Sequence, residues 1–380
     1  MVSSLQLPDR SILKFVKKDL DRKMVFLGGP RQVGKTTLAQ SLLTDLQEGY
    51  FNYDSPFDRK RIVDHDFSPR QKLIVLDEIH KQRGWRNTVK GLYDTKKQTH
   101  QFLITGSARL DHFRKGGDSL LGRYYSYRLH PYSLRELGIS RKNTQKLLKF
   151  GGFPEPLSSQ DESVLYRWHL ARLSKLVRVD LRDLENIKNL DQVELLGQAL
   201  LSRVGSPLSI NNLAKDLQVD FKTVQRWIEI LDTLYYSFRI PPFGAPKIKA
   251  VKKEQKLYLW DWSQIEDPGF RFENLVASQL LKFCHFIEDT QGHPMELRYL
   301  RTTEKREVDF VVLKNRKPLF AVECKLSDTQ ASEHLYYFKQ RTDIPKFYQV
   351  HLGAHDSERM PAEGIHVLPF ERLVEIEELP

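Results

Sequence analysis

Short apolar runs alternate with amphipathic stretches along the first third of the chain. The apolar runs occupy residues 24–27, 73–76 and 102–104, and an amphipathic helical stretch covers 36–46. Strands of a parallel sheet are buried on both faces, so they occur as continuous apolar runs between helical segments. The pattern therefore predicts an α/β domain with a helix-covered parallel sheet over residues 1–136.

Three blocks follow, and the first and the last of them have patterns that are easily told apart. Residues 137–204 contain no strand signal and predict a helical lid, with a break at Gly151-Gly152-Phe153-Pro154. Residues 266–380 return to mixed strand and helix patterns. They predict a second α/β domain at the end of the chain.

The block between them, residues 205–265, has the pattern of two helices followed by a β-ribbon. Ser209 can cap the first helix. The second helix, 223–234, carries one apolar face, made of Val224, Trp227, Ile228 and Leu231. Strand-like runs at 235–240 and 256–260 follow, separated by a Pro-Pro corner and a lysine-rich loop. This order of elements predicts a winged helix.

The composition is that of a soluble, multidomain protein. Of the 380 residues, 40% are hydrophobic and 29% are charged, and no stretch approaches the roughly 18 apolar residues that a membrane span needs. Residues 1–10 have no apolar segment with a cleavage site, so we expect no secretion signal. Cys284 and Cys324 lie in apolar surroundings, and free thiols in a reducing cytoplasm are expected rather than a disulfide.

The charge of the chain favours an anionic partner. The formal net charge is +11 at pH 7, and nucleic acid is the usual partner of so basic a protein. The alternative is a basic surface that serves solubility alone. Charge by itself places nucleic acid only slightly ahead.

A phosphate-binding loop follows the first predicted strand. The segment Gly29-Pro30-Arg31-Gln32-Val33-Gly34-Lys35-Thr36 has the complete spacing of this motif, and Thr37 continues it into a helix. The two glycines allow backbone N–H groups to turn toward phosphates. Lys35 supplies positive charge to the β- and γ-phosphates, and the Thr36 hydroxyl can bind Mg²⁺. Residues 29–37 are therefore predicted to bind ATP with Mg²⁺.

A second apolar strand ends in two carboxylates, Asp77 and Glu78. Asp77 is placed to hold Mg²⁺ beside Thr36, and Glu78 to orient and polarise the attacking water. The alternative is that the acidic pair only caps a helix that starts at Ile79. A complete phosphate loop upstream favours the catalytic interpretation.

Two further polar residues complete the predicted ATP site. Thr105 ends the third strand and can hydrogen-bond the attacking water or the γ-phosphate, unless it merely starts a turn. Arg123 can neutralise charge on the γ-phosphate of a neighbouring subunit. The alternative for Arg123 is an ordinary solvated arginine, since the chain has 60 Lys and Arg residues.

The order of these motifs resembles the AAA+ ATPase superfamily. Segments 29–38, 76–80, 103–109 and 151–156 are similar to one prokaryotic family that joins an AAA-type ATPase to a C-terminal domain called DUF4143. The resemblance implies ATP hydrolysis, with ATP bound between the subunits of a ring or open homo-oligomer, usually of six. It also supports Arg123 as an arginine supplied in trans.

A second group of polar residues is predicted near the C-terminus. Asp309 and Glu323 lie on two strands of a predicted hairpin with a four-residue turn at 314–317, which sets them within about one residue of facing each other. Lys325 shares a strand face with Glu323. Upstream, Glu273 lies on a helical face with Val276, Ala277, Leu280 and Cys284.

Asp309 followed by Glu323-Cys324-Lys325, with a helical glutamate before them, resembles the PD-(D/E)XK nuclease superfamily. The resemblance implies a restriction-endonuclease-like fold in which Glu273, Asp309 and Glu323 bind Mg²⁺ or Mn²⁺ and Lys325 is catalytic. The alternative is that the glutamate and lysine form a cross-strand pair on the surface.

The predicted winged helix supplies candidate DNA contacts. Its second helix presents Lys222, Gln225 and Arg226 opposite the apolar face. The loop of the ribbon adds Lys247, Lys249, Lys252 and Lys253, which suit backbone phosphates. Glu229 weakens a DNA-facing surface, and winged helices in AAA+ chains also serve to pack domains together.

The leading hypothesis is an ATPase that drives or gates DNA processing, with a C-terminal metal-dependent nuclease-like domain. The first alternative is a nucleotide-dependent switch that acts on a protein partner and has a non-cleaving scaffold domain. The second alternative is a DNA-binding regulator whose ATPase sets only its oligomeric state.

Overall fold

The first sheet of the protein is parallel, as its apolar runs predict. In a computed structural model, the described residues are 7–106, 120–181, 189–244, 254–353 and 358–380. The strands are β1 (Met24–Gly28), β2 (Tyr50–Asn52), β3 (Leu73–Asp77), β4 (Gln101–Thr105) and β5 (Tyr124–Arg128). Their spatial order is β2-β3-β4-β1-β5, and every neighbouring pair is parallel. The predicted α/β domain with a parallel sheet is confirmed.

Helices cover both faces of this sheet. They are α1 (Leu13–Leu20), α2 (Lys35–Gln40), α3 (Leu46–Gly49), α4 (Pro56–Val63) and α5 (Trp85–Lys96). Alternate strand residues belong to two apolar cores, with Val25 and Leu27 in one and Phe26 in the other.

The helix predicted over 36–46 is shorter than expected. It ends at Gln40, and a new helix begins at Leu46. The carboxylate of Asp45 caps this new helix by accepting hydrogen bonds from the N–H groups of Gln47 and Glu48. A side chain that satisfies free N–H groups starts a helix, and so it divides the predicted one.

Between residues 134 and 201, the regular elements are all helices in the part that the structure describes. The helices are α6 (Leu134–Leu137), α7 (Arg141–Phe150), α8 (Pro154–Ser159), α9 (Glu162–Lys175), which runs into a π-helical turn (Leu176–Asp180), and α10 (Leu190–Leu201). The chain turns between α7 and α8 at Gly151, whose φ is 72°. A Cβ at Gly152 would lie 2.7 Å from the ring of Trp262, so this turn is also a close packing contact.

Two helices and a two-stranded ribbon follow. They are α11 (Ile210–Asp216), α12 (Phe221–Thr233), β6 (Ser237–Ile240) and β7 (Lys256–Leu259), and the strands are antiparallel. Ser209 caps α11 through the N–H of Asn212. The face of α12 with Val224, Trp227, Ile228 and Leu231 is buried, as its spacing predicts.

The last part of the chain contains a long helix and a mixed six-stranded sheet. The sheet order is β12-β13-β11-β10-β9-β8. The elements are α13 (Pro268–Gln291), β8 (Met295–Arg301), β9 (Glu307–Lys314), β10 (Lys317–Lys325), α14 (Glu333–Lys339), β11 (Phe347–His351), β12 (Arg359–Ala362), β13 (Ile365–Pro369) and α15 (Phe370–Ile376). No helix among the described residues is long and apolar enough to cross a membrane.

Helix α13 is buried on more than its apolar face. It packs against β5 of the first sheet and against β8, β9 and β10 of the second. Asn274 and Lys282, on the face opposite Glu273, are buried as well. The Asn274 side chain bonds both the N–H and the carbonyl of Leu259, so α13 is also tied to the ribbon.

The predicted hairpin forms with a tighter turn than expected. Leu313 pairs with Pro318 as predicted, but the turn is only Asn315-Arg316, with φ of 52° and 65°. Two successive residues with positive φ are typical of the two-residue turns that suit twisted strands. A bulge at Leu319 then shifts the register, so that its continuation sets Asp309 opposite Glu323.

Candidate functional site

The phosphate loop connects the end of β1 to the start of α2. Gly29 and Gly34 have φ of 144° and 100°, and Gln32 between them has φ of 61°. A Cβ at Gly29 would lie 2.4 Å from the carbonyl oxygen of Leu129, so only glycine fits there. The sequence motif therefore folds into a loop with the backbone conformations that phosphate binding requires.

The ammonium of Lys35 lies inside this loop. It donates hydrogen bonds to the carbonyl oxygens of Gly29 at 3.0 Å and Pro30 at 2.7 Å, and the residue is buried. A buried lysine already directed into the loop can exchange these carbonyl contacts for phosphate oxygens. This placement agrees with the role predicted for Lys35.

Three hydroxyl groups converge on the carboxylate of Asp77. Thr36 Oγ1 donates to Oδ2 at 2.9 Å, Tyr50 OH donates to Oδ2 at 2.6 Å, and Thr105 Oγ1 donates to Oδ1. Strand β4 lies between β1 and β3, and its register sets Thr105 beside both Leu27 and Asp77. The strand order thus assembles a polar centre next to the phosphate loop.

The pKa of Tyr50 is raised above its ordinary value, chiefly by burial and then by its hydrogen bond to Asp77. Tyr50 therefore remains a hydrogen-bond donor. Sequence reasoning missed this residue, because the three-residue strand β2 gives too short a pattern to recognise.

The oxygen atoms around Asp77 suit a magnesium ion. Thr36 supplies a hydroxyl and Asp77 a carboxylate, both of them hard oxygen ligands, at the mouth of a phosphate loop. The residues present therefore fit the Mg²⁺ that the AAA+ resemblance implies.

Glu78 has a strained backbone and a carboxylate with raised proton affinity. Its φ is 58°, and the pKa of its carboxyl is raised first by burial and then by the negative charge of Asp77. Lys35 and Lys81 oppose that rise. Glu78 precedes a short 3-10 turn, but its side chain makes no capping hydrogen bond, so the capping alternative gains no support.

His80 lies beside Glu78 in a nearly enclosed position. Its Nε2 is 3.5 Å from Glu78 Oε2, and burial, followed by Lys81 and Lys35, lowers the pKa of the imidazole to about 4. His80 is therefore neutral at physiological pH.

Arg123 lies at the opposite end of the sheet from the phosphate loop. It precedes β5, whose first residue, Tyr124, pairs with the first residue of β1. Its guanidinium makes two hydrogen bonds to Asp94, at 2.9 and 3.1 Å. The structure therefore does not bring Arg123 to the ATP site of its own chain.

The phosphate loop is connected to α13 through buried charges. Arg10 donates to the carbonyl of Val33 at 3.4 Å, and its Nε lies 3.4 Å from Glu136. Lys282 of α13 donates to the other oxygen of Glu136 at 2.5 Å. Burial opposes ionisation of Glu136, but Arg10 and Lys282 lower its pKa to about 2.

A second contact joins β5 to the end of α13. Arg128 Nη2 donates to Asp289 at 2.6 Å and to Glu288 at 2.7 Å. Beside it, His130 Nε2 and His285 Nδ1 are 2.8 Å apart. Helix α13 is thus held to the first sheet by several polar contacts.

The predicted C-terminal residues surround Asp309. Its Oδ2 accepts the N–H of Cys324 at 2.9 Å, and Lys325 donates to Glu323 at 2.8 Å along β10. The pKa of Glu323 is raised to about 8, and that of Glu273 to about 7, by burial first and Asp309 second. Glu323 is buried and its ion pair with Lys325 lies within one strand, so the alternative of a surface cross-strand pair gains no support.

Three residues of this cluster were not anticipated from the sequence. Lys256 of β7 donates to Glu273 at 3.1 Å and to Asp309 at 3.4 Å, and it also pairs with Glu307. Tyr258 donates to the same Glu273 oxygen at 2.6 Å. Burial opposes the charge on Lys256, but Tyr258 and the carboxylates keep its pKa well above the ordinary value.

A divalent metal does not fit this arrangement. Glu273, Asp309 and Glu323 are the right kind of ligand, but the ammonium of Lys256 lies between the first two. Within the described part of the chain, no group of three His, Cys, Asp or Glu side chains is arranged to hold a metal ion.

The predicted DNA contacts are only partly visible. Lys222 and Arg226 are exposed on α12, whereas Gln225 is half-buried and donates to Glu229 at 3.0 Å. The predictions for Lys247, Lys249, Lys252 and Lys253 lie outside the described residues.

Three family matches cover successive parts of the chain. Residues 21–138 match AAA_14, described as an AAA domain. Residues 141–264 match DUF8612 and residues 268–373 match DUF4143, both described as domains of unknown function.

The relatives that match share most of the chain, and two of them illustrate the range. An uncharacterized protein of Mycobacterium tuberculosis is 25% identical over 346 residues, which covers 86% of this chain and 76% of the relative. Another from Methanocaldococcus jannaschii is 23% identical over 409 aligned positions, with coverage of 96% and 90%. Neither name describes an activity.

The solved structures that match include one with a low TM-score. It is the Thermotoga maritima RuvB Holliday junction branch migration motor, with a TM-score of 0.31 and 18% identity over 62% of this chain and 90% of that chain. A similarity of this size carries no argument about function.

Proposed function

The chain carries an AAA domain followed by a DUF4143 domain, as its motifs predict, and on this premise we propose that it hydrolyses ATP to drive or gate DNA processing. The observation that carries the proposal is the Asp77 carboxylate, which accepts the Thr36 and Thr105 hydroxyls beside the phosphate loop. A phosphate loop, a hydroxyl and a buried carboxylate that meet at one end of a parallel sheet are the groups that ATP and its Mg²⁺ need.

The ATP phosphates are held by residues 29–37, with Lys35 neutralising the β- and γ-phosphates. Thr36 and Asp77 would hold Mg²⁺, which would neutralise charge on the phosphate oxygens. Tyr50 orients Asp77 through its 2.6 Å hydrogen bond.

Glu78 accepts the proton of the attacking water. Its raised pKa supports this role, because a stronger base takes that proton more readily. Thr105 orients the water or the γ-phosphate. As the water oxygen bonds to phosphorus, the bond to ADP breaks, and the leaving electron pair stays on ADP.

Arg123 acts on the ATP of a neighbouring subunit. Its position at the far end of β5 supports action in trans, because it is remote from its own phosphate loop. This requires a homo-oligomer, and a ring of six is the proposed form. Asp94 holds Arg123 until a subunit docks.

The nucleotide state is transmitted to the C-terminal domain through α13. The route from Val33 through Arg10 and Glu136 to Lys282 supports this step, since each contact is buried. Movement of the phosphate loop on ATP binding changes the contact between Val33 and Arg10. This change in turn alters the contact between Glu136 and Lys282.

The remaining assignments belong to this proposal. Residues 137–204 form a lid, 205–265 a winged helix that contacts DNA through Lys222, Gln225 and Arg226, and 266–380 a nuclease-like domain. The formal charge of +11 supports a nucleic-acid partner. The two free cysteines suit the cytoplasm.

The second candidate is a nucleotide-dependent switch that acts on a protein partner, with a C-terminal domain that does not cleave. The position of Lys256 among the proposed metal ligands favours this non-cleaving alternative. Both candidates share the ATPase and differ in what the last domain does.

Steady-state ATP hydrolysis with and without DNA tests the proposal. We expect magnesium-dependent turnover that DNA raises several-fold and that Lys35→Ala abolishes. Lys72→Ala, an exposed lysine paired with Asp21, is the matched control and should behave as wild type. Turnover that DNA leaves unchanged would favour the switch, and turnover that survives Lys35→Ala would remove the site assignment.

A further inference from the structure

We infer that the ammonium of Lys256 permanently takes the cation position of the C-terminal carboxylate cluster and excludes a divalent metal from it. This deepens the proposed function at one point, because it rests on treating the cluster as a site for a cation. It does not depend on ATP hydrolysis.

The geometry around Lys256 is that of a bound cation. Its Nζ lies 3.1 Å from Glu273 Oε1 and 3.4 Å from Asp309 Oδ1, and it pairs with Glu307. Oxygen ligands lie about 2.0–2.6 Å from Mg²⁺ or Ca²⁺. A metal between the same two oxygens would occupy the space of the ammonium, so the two cations exclude each other.

The rest of the structure holds Lys256 in this position. It begins β7, its backbone pairs with Ile240 of β6, and it also bridges to Pro207. The lysine is fully buried, with the ammonium 5.7 Å from the ring centre of Tyr299. A buried ammonium is costly unless carboxylates compensate for it, so both sides of the contact depend on each other.

The charges of the cluster nearly balance without a metal. Four carboxylates, of Glu273, Glu307, Asp309 and Glu323, face the ammonium groups of Lys256 and Lys325. Arg301 pairs with Glu307 at 2.7 Å as a third positive group. A metal added to this set would meet repulsion from Lys256.

Lys256 also comes from outside the family match that supplies the carboxylates. The DUF4143 match spans 268–373, whereas Lys256 lies in the ribbon that precedes it. The cluster therefore connects two parts of the chain, and the folded chain itself supplies the cation.

Mn²⁺ binding by the nucleotide-free full-length chain tests this inference. Electron paramagnetic resonance counts bound ions, and Asp309→Asn separates ions at this cluster from any held elsewhere. We expect wild type and Asp309→Asn to bind the same number of Mn²⁺ ions, because the cluster of the wild-type protein holds none. Lys256→Ala removes the ammonium and leaves a space of the size of an ion between the carboxylates. We expect this variant to bind Mn²⁺ there at least about tenfold more tightly than wild type. Adding Asp309→Asn to Lys256→Ala should remove this binding. Lys346→Ala, from an exposed pair with Glu377, is the control and should match wild type.

Two results would overturn the inference: Mn²⁺ bound to wild type but not to Asp309→Asn, or a folded Lys256→Ala protein with no gain. If Lys256→Ala does not fold, thermal unfolding of wild type decides. We expect Mn²⁺ to change the Tm of wild type and of Asp309→Asn by the same amount relative to EDTA. A rise in the wild-type Tm that Asp309→Asn removes contradicts the inference. Wild-type ATP turnover is measured separately; its absence removes the proposed function and leaves the Mn²⁺ result standing.

Discussion

Thr36 and Asp77 are 41 positions apart in the chain, and the Thr36 hydroxyl donates a 2.9 Å hydrogen bond to the Asp77 carboxylate. One residue belongs to the phosphate loop and the other ends the strand two places away in the sheet. Their contact joins the two halves of the proposed magnesium site.

Loss of the Thr36 hydroxyl should remove a ligand of Mg²⁺. We expect Thr36→Ala to lower ATP turnover by about 100-fold or more, comparable to the loss of one transition-state contact. Thr36→Ser keeps the hydroxyl and should stay within about tenfold of wild type. Turnover at several Mg²⁺ concentrations measures both, and equal loss in the two variants would argue against a ligand role.

Glu78→Gln should separate binding from hydrolysis. The amide cannot accept the proton of water, so turnover should fall by about 10²–10⁴-fold. ATP affinity should change little, because Glu78 is not assigned to the phosphates. Calorimetry and a phosphate-release assay provide the two measurements. A matching loss of affinity would indicate that Glu78 acts in binding.

Mixing two inactive variants should restore turnover if Arg123 acts in trans. Arg123→Ala retains its own phosphate loop, whereas Glu78→Gln retains Arg123. In mixed oligomers, an Arg123→Ala site beside a Glu78→Gln subunit has every required group. We expect each variant alone to be inactive and the mixture to regain a measurable fraction of wild-type turnover.

The control for this mixing experiment is Lys35→Ala together with Glu78→Gln. These two changes lie in the same site, and the mixture should remain inactive. A mixture of Arg123→Ala and Glu78→Gln that stays inactive, although the subunits assemble, would contradict action in trans.

Glu136 should make the fold sensitive to acid. Its folded-state pKa of about 2 lies below the ordinary value of 4.5, so its contribution is full above pH 4.5 and is lost as the pH falls toward 2. Glu136→Gln leaves Arg10 and Lys282 buried without a counter-ion and should cost about 3–5 kcal/mol near neutral pH. The variant should also lose less stability than wild type between pH 4.5 and 2.

Denaturant unfolding at several pH values measures this difference. Glu162→Gln, in the exposed pair with Lys149, is the control and should keep the slope of wild type. Parallel pH profiles for wild type and Glu136→Gln would show that the Glu136 carboxyl is not the group responsible.

Lys222 and Arg226 should contribute to DNA affinity through phosphates. Removing one phosphate contact lowers the salt slope of binding by about 1, so the double alanine variant should lose about 2 from the slope. Arg372→Ala, in an exposed pair with Glu375, is the control. Fluorescence anisotropy at several salt concentrations gives both slopes. An unchanged slope would place the DNA surface elsewhere.

Features encoded by contiguous residues could be predicted from the sequence. The phosphate loop, the Asp77 strand end and the hairpin between β9 and β10 each depend on short segments with a clear period or spacing. The hairpin turn was predicted too long, because Lys314 and Lys317 pair with each other instead of belonging to the turn. The bulge at Leu319, which sets Asp309 opposite Glu323, was not predicted either, because nothing in the sequence announced it.

Contacts between distant segments could not be predicted in this way. Lys256 is separated by 17 positions from Glu273 and by 53 from Asp309, and no period connects them. Tyr50 likewise reaches Asp77 only through the strand order, and Arg10 reaches Glu136 only because α6 packs beside the N-terminal segment. The carboxylates were recognised, but the cation that accompanies them was not.

Helix α13 packs against both the AAA part and the C-terminal part of the chain. Its residues belong to the DUF4143 match, yet Lys282 is buried against Glu136 and Asp289 holds Arg128 of the first sheet. If the chain were divided between residues 264 and 268 and the fragments separated, α13 would lose its packing partners in the first part of the chain. Charged groups that are now buried would then be exposed on each fragment. The AAA and DUF4143 segments are thus rigidly connected through α13. Exchange of one segment between relatives therefore requires matching changes in the other.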